Sequence, residues 1–466
     1  MLPIRPDVFR AYDIRGRVDT DFDPEWVLTL GRACGTFFRT HGLRQCVVGH
    51  DCRHSSPLYN DRLIEGLMAA GMDVTALGMV PTPVLYYSIK TLHRQAGVIV
   101  TASHNPPEFN GFKIWHGQTT MHTDQIQDLY AIMREGVFEN EPGTYSELDI
   151  VPAYLEELSS DIALSRPVKV VVDGGNGSSG DICARLLEKA GATVVPLYCT
   201  PDGSFPNHHP DPTVAANIVD LQEAVVREQA DFGVGLDGDG DRIGVVDAQG
   251  APLYGDQLLA VFARDVLTRQ PGATIIGEVK CSHLLYEDIA RHGGTPIMGK
   301  TGHSLIKARM LETDAALAGE MSGHMFFADR YYGFDDALYA ALRLAEIVAK
   351  TPETPLGHML DDWPETQNTP EIRIFCPEQH KFRIVDTARE SFREQGLSIN
   401  EEDGVRIEFG DGWGLLRASN TQPVLVLRFE AQSANRLQEI RDIVEIPLQR
   451  WIEALPETPA SDKESC

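Results

Sequence analysis

The sequence contains no apolar run close to the ~18 residues that a membrane-spanning helix needs. Residues 1–16 also lack the apolar core of a secretory signal peptide. The eight cysteines are scattered, with neither a CxxC pair nor a cysteine–histidine cluster at zinc-site spacing, which predicts reduced thiols. No glycine-rich Walker pattern occurs, so binding of a nucleoside triphosphate is disfavoured. We therefore expect a soluble, cytoplasmic protein.

Positive charge is also scarce. The chain has 41 Lys and Arg against 68 Asp and Glu, a formal net charge of −27. A surface this acidic repels nucleic acid and anionic membranes, so we expect neither as a partner. A small anionic substrate would need a local basic pocket.

The length of 466 residues predicts three or four domains, because a single core rarely serves a chain of this size. The order strand, polar loop, helix, glycine, strand occurs three times, beginning at Gln45, Val168 and Thr274. Crossovers of this kind favour parallel neighbouring strands. The pattern predicts three related α/β domains, at residues 1–150, 151–251 and 252–365.

The fourth region, residues 366–466, differs from the other three. Four prolines between 352 and 370 mark a linker, after which strands alternate with a helix that we expect at residues 384–395. Because short loops join the last three strands, an antiparallel sheet is favoured, which predicts a smaller α+β C-terminal domain. Residues 9–16 (FRAYDIRG) read, by composition alone, as a solvated arm. The tail from residue 456 is polar and we expect it to be disordered.

The segment 101–113, TASHNPPEFNGFK, places the hydroxyl of Ser103 after the apolar strand Ala96–Val100. Pro106 and Pro107 exclude a helix there, so the serine lies in a stiff loop at a strand end. Ligands bind at such strand ends in open α/β sheets. An ordinary polar turn is the alternative interpretation of this loop taken alone.

The segment 231–242, DFGVGLDGDGDR, has carboxylates at Asp237, Asp239 and Asp241 with glycines between them. This spacing lets one tight loop wrap oxygens around a hard cation such as Mg²⁺. An EF-hand is excluded because its glycine and glutamate positions are Arg242 and Ala248. The alternative is an acidic turn, but three such close carboxylates repel one another unless a cation is bound.

Two further loops carry polar side chains suited to a phosphosugar. The segment 318–324, AGEMSGH, offers Glu320, Ser322 and His324 to sugar hydroxyls, although a strand-end turn is its alternative interpretation. The segment 417–423, RASNTQP, offers a guanidinium fork and short donors to a phosphate monoester, with a hairpin turn as the alternative. Lys280 and His303 add positive charge and an imidazole at neighbouring strand ends.

In this order, from FRAYDIRG to RASNTQP, the segments resemble the bacterial phosphomannomutase/phosphoglucomutase branch of the α-D-phosphohexomutase family. The resemblance implies three α/β/α domains with mixed sheets and a smaller C-terminal domain around a central cleft. It also implies reversible phosphoryl transfer between the 1- and 6-positions of mannose and glucose phosphates. The carrier would be phosphoserine at Ser103, with a hexose 1,6-bisphosphate as intermediate and activator.

The resemblance also implies roles for individual residues. Mg²⁺ would be held by Ser103, as its phosphoester, and by Asp237, Asp239 and Asp241. Active-site positions concerned with charge and proton transfer would be Arg15, His104, Lys113, Arg242 and His303, with the general base left open. Substrate-binding positions would be Tyr12, Lys280, Glu320, Ser322, His324, Arg417, Ser419, Asn420 and Thr421.

Three alternatives remain open from the sequence. A phosphoglucosamine mutase is less favoured, because that group usually carries Gln where Met321 stands. A metal-dependent phosphatase with a serine nucleophile would use the same residues, and a non-catalytic phosphosugar-binding relative would be expected to have lost one of them. The quaternary state is expected to be a monomer or a homodimer.

Overall fold

Four β-sheets follow one another along the chain in the computed structural model, which describes residues 1–420 and 422–455. We refer to each sheet with its helices as a unit. The predicted disorder of the tail and the predicted role of Thr421 concern residues outside this described part. No helix within it is long and apolar enough to cross a membrane.

The first unit has a mixed sheet in the order β1-β5-β4-β2-β3-β7, with β6 paired to β5. Strands β2, β3, β4 and β7 are parallel, whereas β5 runs antiparallel to both β4 and β1. Its strands are β1 (Ile14–Arg17), β2 (Gln45–His50), β3 (Asp73–Met79), β4 (Ala96–Val100), β5 (Phe109–His116), β6 (Thr119–Thr120) and β7 (Tyr145–Glu147). Its helices are α1 (Pro24–Thr40), α2 (Ser56–Ala69), α3 (Thr82–Thr91) and α4 (Asp124–Glu135).

The second unit has a mixed sheet in the order β12-β11-β10-β8-β9, with β8, β9 and β10 parallel. Its elements are α5 (Val151–Asp161), β8 (Lys169–Asp173), α6 (Gly180–Lys189), β9 (Thr193–Leu197), α7 (Val219–Glu228), β10 (Phe232–Leu236), β11 (Ile243–Asp247) and β12 (Pro252–Leu253).

The third unit has a mixed sheet in the order β14-β13-β15-β16, in which only β16 runs antiparallel. Its elements are α8 (Gly255–Arg269), β13 (Thr274–Glu278), α9 (His283–Arg291), β14 (Thr295–Gly299), α10 (His303–Thr313), β15 (Leu317–Gly319), β16 (Met325–Phe327) and α11 (Ala337–Lys350).

The fourth unit has the expected antiparallel sheet, in the order β17-β22-β21-β20-β19 with β18 paired to β22. Its elements are β17 (Gln367–Asn368), β18 (Ile372–Phe375), α12 (Glu378–Glu394), β19 (Ile399–Asn400), β20 (Val405–Glu408), β21 (Gly412–Ala418), β22 (Val424–Ala431) and α13 (Ala434–Glu453). The predicted fold class, three α/β units with mixed sheets and one smaller α+β unit, is confirmed.

The first three units share one apolar core, whereas the fourth unit has a core of its own. One continuous core joins helices of the first three units, with Val84, Leu186 and Leu338 among its members. The fourth unit has a separate core between its sheet and α12 and α13. Among the residues that the structure describes, a small apolar cluster around Val279 and Trp413 is all that lies between the cores of the third and fourth units. The first three units therefore form a common scaffold, onto which the fourth docks largely through polar contacts.

The segment FRAYDIRG is not a solvated arm. Phe9 and Ile14 are buried, and β1 pairs with β5, the strand that follows the Ser103 loop. This pairing places Arg15 beside the Ser103 loop, where it donates to Asn105.

Candidate active site

Ser103 lies in the turn between β4 and β5, at the end of a fully buried strand. Its φ of 52° is in the left-handed region, which non-glycine residues seldom adopt. Its N–H donates to Oγ1 of Thr101 at 3.0 Å. Its own Oγ donates to Oδ2 of Asp237 at 2.7 Å. The turn therefore holds the hydroxyl against the carboxylate loop of the second unit.

The loop after β10 brings the three predicted carboxylates together. Asp237, Asp239 and Asp241 are fully buried, and one oxygen from each lies within 4.8 Å of the others. Gly240 has φ 75°, which allows the tight turn between them. Oδ1 of Asp237 accepts from the N–H groups of Gly240, Asp241 and Arg242 at 3.0 to 3.1 Å. Backbone donors thus fix one carboxylate, with its other oxygen facing Ser103.

The same loop fits a divalent cation. Oδ1 of Asp239 is buried without a hydrogen-bond partner in the described residues, and Oδ1 of Asp241 has only the His324 ring near it, at 3.4 Å. Burial, and then the charges of Asp239 and Asp241, raise the pKa of Asp237 well above its ordinary value. Unpaired buried carboxylate oxygens are costly unless a cation binds them. The residues therefore fit a metal site by charge, ligand type and orientation.

Lys113, on β5, supplies a positive charge to this cluster. Its Nζ donates to Oδ2 of Asp239 at 2.7 Å and also to Oδ2 of Asp241. Burial alone would lower the pKa of Lys113, but the neighbouring carboxylates outweigh it and raise the pKa. The lysine is therefore a fixed cation between the serine loop and the carboxylate loop.

Arg15 and His104 flank the serine. Arg15, on β1, donates from Nη1 to Oδ1 of Asn105 at 2.6 Å and pairs with Asp13. Nδ1 of His104 lies 3.1 Å from Oγ of Ser103. Burial, followed by the charges of Arg242 and Arg15, lowers the pKa of His104 well below its ordinary value. The imidazole beside the nucleophile is therefore neutral.

The sugar-recognition segment contacts the carboxylate loop through His324. Nδ1 of this imidazole lies 3.0 Å from Oε2 of Glu320 and 2.9 Å from Oγ of Ser322. Its Nε2 lies 3.4 Å from Oδ1 of Asp241 and 3.4 Å from Nε of Arg242. Burial would lower the pKa of His324, but the carboxylates of Asp241 and Glu320 raise it to about 9. His324 thus connects the predicted sugar and metal loops.

Tyr12 and His303 extend this cluster toward the fourth unit. The His303 ring stacks on His324 with centroids 5.5 Å apart, and Tyr12 meets His303 edge-on at 6.0 Å. The N–H of Gly302 donates to Oε1 of Glu320 at 2.6 Å. A Cβ at Gly302, where φ is 132°, would lie 2.7 Å from the Tyr12 ring. Only glycine leaves room for this packing.

The loop between β21 and β22 meets Tyr12 from the fourth unit. Nδ2 of Asn420 donates to the Tyr12 hydroxyl at 2.5 Å. Nε of Arg417 donates to Oδ2 of Asp403 at 2.9 Å, and Oγ of Ser419 accepts a hydrogen bond from the following turn. Arg417 is buried, and its charge interacts with Tyr12 and Glu278 of the other units. Nothing is described for Thr421, the remaining predicted member of this loop.

Lys280 follows β13 and faces the same interface. Its Nζ donates to Oε2 of Glu371 at 3.2 Å and lies 3.8 Å from Oε1 of Glu278. The structure thus brings the predicted residues into two connected groups. One surrounds Ser103 and the three aspartates, and the other surrounds Tyr12, Lys280 and Arg417, with His303 and His324 between them.

Four family models match the sequence, and all describe domains of phosphoglucomutase/phosphomannomutase. They are α/β/α domain I at residues 6–140, domain II at 152–250, domain III at 254–366 and the C-terminal domain at 371–446. The chain belongs to the phosphoglucomutase/phosphomannomutase family. The family resemblance of the sequence is thereby confirmed, while the boundaries at 150, 251 and 365 stay predictions.

Named relatives of the family match nearly the whole chain. A phosphomannomutase/phosphoglucomutase of Pseudomonas aeruginosa is 46% identical over 449 residues, covering 96% of this chain and 97% of the relative. A phosphoglucomutase of Neisseria gonorrhoeae is 42% identical over 446 residues, covering 95% and 96%. A crystal structure of a phosphoglucomutase/phosphomannomutase family protein from Burkholderia thailandensis superposes with a TM-score of 0.91 at 41% identity, covering 98% and 99%.

Sequence reasoning missed Glu278, a fully buried carboxylate at the end of β13 in this family member. It accepts the backbone N–H groups of Lys280 and Met321 at 2.9 and 3.2 Å and the hydroxyl of Thr301 at 2.9 Å. It therefore ties three loops of the candidate site together. The GEVKCSH segment marks a strand end, but nothing local indicates which loops its glutamate would reach.

Lys307 and Asp335 were also missed. Nζ of Lys307 lies 3.3 Å from Nδ1 of His303 and donates to Oδ1 of Asp335 at 2.8 Å. Burial, and then the charges of Lys307 and Lys113, lower the pKa of His303 well below its ordinary value. The i, i+4 spacing of His303 and Lys307 on α10 is visible in the sequence, but the carboxylate that joins them is not.

Proposed function

We propose that this chain catalyses reversible phosphoryl transfer between the 1- and 6-positions of hexose phosphates, with mannose and glucose phosphates as substrates. The observation that carries the proposal is the 2.7 Å hydrogen bond from Oγ of Ser103 to Asp237, within a cluster of three buried carboxylates. A nucleophilic oxygen placed beside a cation site suits phosphoryl transfer, where catalysis is mostly positioning and charge stabilisation.

The residues around Ser103 divide this task. Asp237, Asp239 and Asp241, with a phosphoryl oxygen on Ser103, would hold Mg²⁺, which would offset the charge on the transferring group. Lys113, Arg15 and Arg242 add fixed positive charge from the protein. His104 and His303, both neutral by their lowered pKa values, can accept or donate a hydrogen bond without adding charge.

The second group of residues suits the opposite end of the substrate. Lys280 and Arg417 provide cations for the phosphate that is not reacting, joined by the short donors Ser419, Asn420 and Thr421. Glu320 and Ser322 are suited to the sugar hydroxyls between the two ends. A hexose 1,6-bisphosphate that turns over between these groups presents either phosphate to Ser103, which accounts for reversible exchange between positions 1 and 6.

The proposal also covers the metal, the domain boundaries, the quaternary state, the location and the choice of sugar. We propose Mg²⁺ as the metal, domains at residues 1–150, 151–251, 252–365 and 366–466, and a monomer or homodimer. The seven described cysteines form no disulfide, in keeping with the reducing cytoplasm that we propose as its location. Contacts to hydroxyls shared by glucose and mannose do not separate the two sugars, so both are proposed as substrates.

The test is a coupled assay of 6-phosphate formation from the 1-phosphates of glucose, mannose, glucosamine and N-acetylglucosamine, with Mg²⁺ and a bisphosphate activator. We expect turnover with mannose and glucose 1-phosphates and its near-complete loss in Ser103→Ala. Ser88→Ala is the control, because Ser88 is buried on α3 and the bond described for its hydroxyl goes to the Leu85 carbonyl of the same helix. Release of free phosphate without 6-phosphate would instead identify a phosphatase, and preference for glucosamine would identify a phosphoglucosamine mutase.

A further inference from the structure

Arg53 lies in the loop after β2, and its guanidinium is completely buried. All five of its N–H donors are used. Nε donates to Oδ2 of Asp51 at 3.0 Å. The other four bonds go to backbone carbonyls of one segment, those of Ser103, Asn105, Pro106 and Phe109, at 2.7, 2.6, 2.7 and 3.1 Å.

This segment is the Ser103 loop, and it has few hydrogen bonds of its own. Pro106 and Pro107 supply no N–H donors, so the loop cannot form a regular ladder. Buried carbonyl groups need partners, and one side chain supplies four of them here. The loop conformation therefore depends on a residue fifty positions earlier in the chain.

The second unit packs on Arg53 from the other side. The Phe205 ring centroid lies 5.1 Å from the guanidinium carbon. A Cβ at Gly203 would lie 2.8 Å from Cα of Arg53. A Cβ at Gly238, in the carboxylate loop, would lie 2.4 Å from the Ser103 carbonyl oxygen that Arg53 binds. That oxygen is thus held between Arg53 and the carboxylate loop, which fixes the distance from Ser103 to Asp237.

We propose that Arg53 is a positioning residue for phosphoryl transfer: by binding four carbonyls of the Ser103 loop, it holds the serine ester in line with the hexose and out of reach of water. This inference rests on the proposed function. Lysine cannot take the role, because its three donors radiate from one atom, whereas the planar fork of arginine reaches separate carbonyls. The proposal predicts two linked defects when the fork is lost, slower transfer and leakage of phosphate.

Leakage is hydrolysis of the phosphoserine. The P–O bond to Ser103 breaks, a P–O bond to water forms, and one proton of that water ends on the serine oxygen. The products are inorganic phosphate and the free hydroxyl. A looser loop favours this reaction, because catalysis of transfer depends on sub-ångström alignment of the ester whereas water attacks from many directions.

The experiment compares Arg53→Lys with the wild-type enzyme and with Arg343→Lys. Arg343 is an equally buried arginine on α11 that pairs with Asp329, away from the Ser103 loop. For Arg53→Lys we expect kcat to fall at least about tenfold with KM within about threefold, and phosphate release per turnover to rise at least about threefold. Hydrogen exchange of residues 101–113 should become faster. Arg343→Lys should lower thermal stability without changing kcat, KM, phosphate release or the hydrogen exchange of residues 101–113.

The inference would be overturned if Arg53→Lys kept the wild-type kcat, phosphate release and hydrogen exchange. It would also be overturned if Arg343→Lys showed the changes expected of Arg53→Lys. If Arg53→Lys does not fold, Asp51→Asn replaces it, since this change removes the negative charge and one of the two oxygens that bind Arg53 and orient its guanidinium, and so weakens its four bonds to the loop. It should raise leakage in the same direction, and wild-type leakage would overturn the inference. A wild-type enzyme without mutase turnover would refute the proposed function instead, while the exchange measurement would still decide the role of Arg53 in holding the loop.

Discussion

The carboxylate of Glu371 lies 3.2 Å from the ammonium group of Lys280, so the fourth unit places a negative charge on a lysine that faces the proposed phosphate site. Burial would raise the pKa of Glu371, but Lys280 and Arg373 outweigh it and lower the pKa to about 2, so this carboxylate is ionised at neutral pH. A substrate phosphate must compete with it for the lysine.

Removing this competitor should tighten substrate binding. For Glu371→Gln we expect the KM for hexose phosphate to fall about two- to fivefold, because a modest ion pair is lost from the free enzyme only. The measurement is steady-state kinetics together with titration calorimetry of a 6-phosphosugar. Glu378→Gln, which removes an exposed partner of Lys381 in the same unit, should leave KM unchanged. A KM that is unchanged or raised in Glu371→Gln would contradict this prediction.

Divalent metal should stabilise the fold through the aspartate cluster. Ligand at about 100 times its dissociation constant adds about 2.7 kcal/mol to native stability, so Mg²⁺ should raise the Tm at constant ionic strength. Asp239→Asn should reduce this rise. Asp247→Asn is the control, since the side-chain hydrogen bonds described for this buried aspartate at the end of β11 go to the adjacent turn. An equal Tm rise in wild type and Asp239→Asn would place the metal elsewhere, and chelation by EDTA should abolish turnover.

The contact between the third and fourth units should depend on pH through His283. Its hydrogen bond to Glu430, at 2.8 Å, outweighs the effect of burial and raises the pKa of His283. A raised pKa in the folded protein means that this stabilisation is complete below the ordinary pKa of histidine and is lost as pH rises through the folded value.

His283→Asn should therefore lower the Tm more at about pH 5.5 than at about pH 8.5, with a difference of about 1 kcal/mol in stability. His93→Asn, which changes an exposed histidine on a turn, should show no such dependence. A larger loss for His283→Asn at the higher pH would mean that the sign assigned to this pair is wrong.

Gly238 should tolerate no side chain. A methyl group there would lie 2.4 Å from the carbonyl oxygen of Ser103 and would push the serine loop from the carboxylate loop. We expect Gly238→Ala to lower kcat about 100-fold, as misplacement of a reacting group by about 1 Å does. Gly42→Ala, where φ is 78° and nothing lies near the added methyl, should cost about 1 kcal/mol of stability and no activity. Comparable activity in both variants would contradict the proposed alignment.

Local pattern was sufficient to predict the elements that carry the site. The apolar strands β4 and β10 and the Pro- and Gly-bounded loops after them are specified by adjacent residues, and their positions are confirmed. Helix α12 is an exception, because it begins at Glu378 rather than at the predicted Ile384. Pro377 precedes its first turn, so the helix starts with the polar residues 378–381, which carry little apolar periodicity.

Contacts between residues that lie far apart in the sequence could not be predicted. Arg53 lies in a segment, HDCRHSSP, that reads as an ordinary polar loop, and its four carbonyl partners lie about fifty residues later. The composition of residues 9–16 predicts an arm because β5, the partner of β1, lies still further along the chain, as in the pair of Ile14 with Phe112. The sequence shows whether such a residue is polar or apolar. Which distant backbone segment it contacts is determined by the packing of the whole fold.

The central claim is that Ser103 carries the phosphoryl group between the two ends of the sugar. The most direct measurement is the mass of the peptide that contains Ser103, taken after incubation with hexose 1,6-bisphosphate and Mg²⁺ and again after adding excess hexose 1-phosphate. The account predicts one added phosphoryl group on Ser103, then its transfer to the sugar as bisphosphate. Phosphate on another residue, or full turnover with Ser103 never modified, would contradict it.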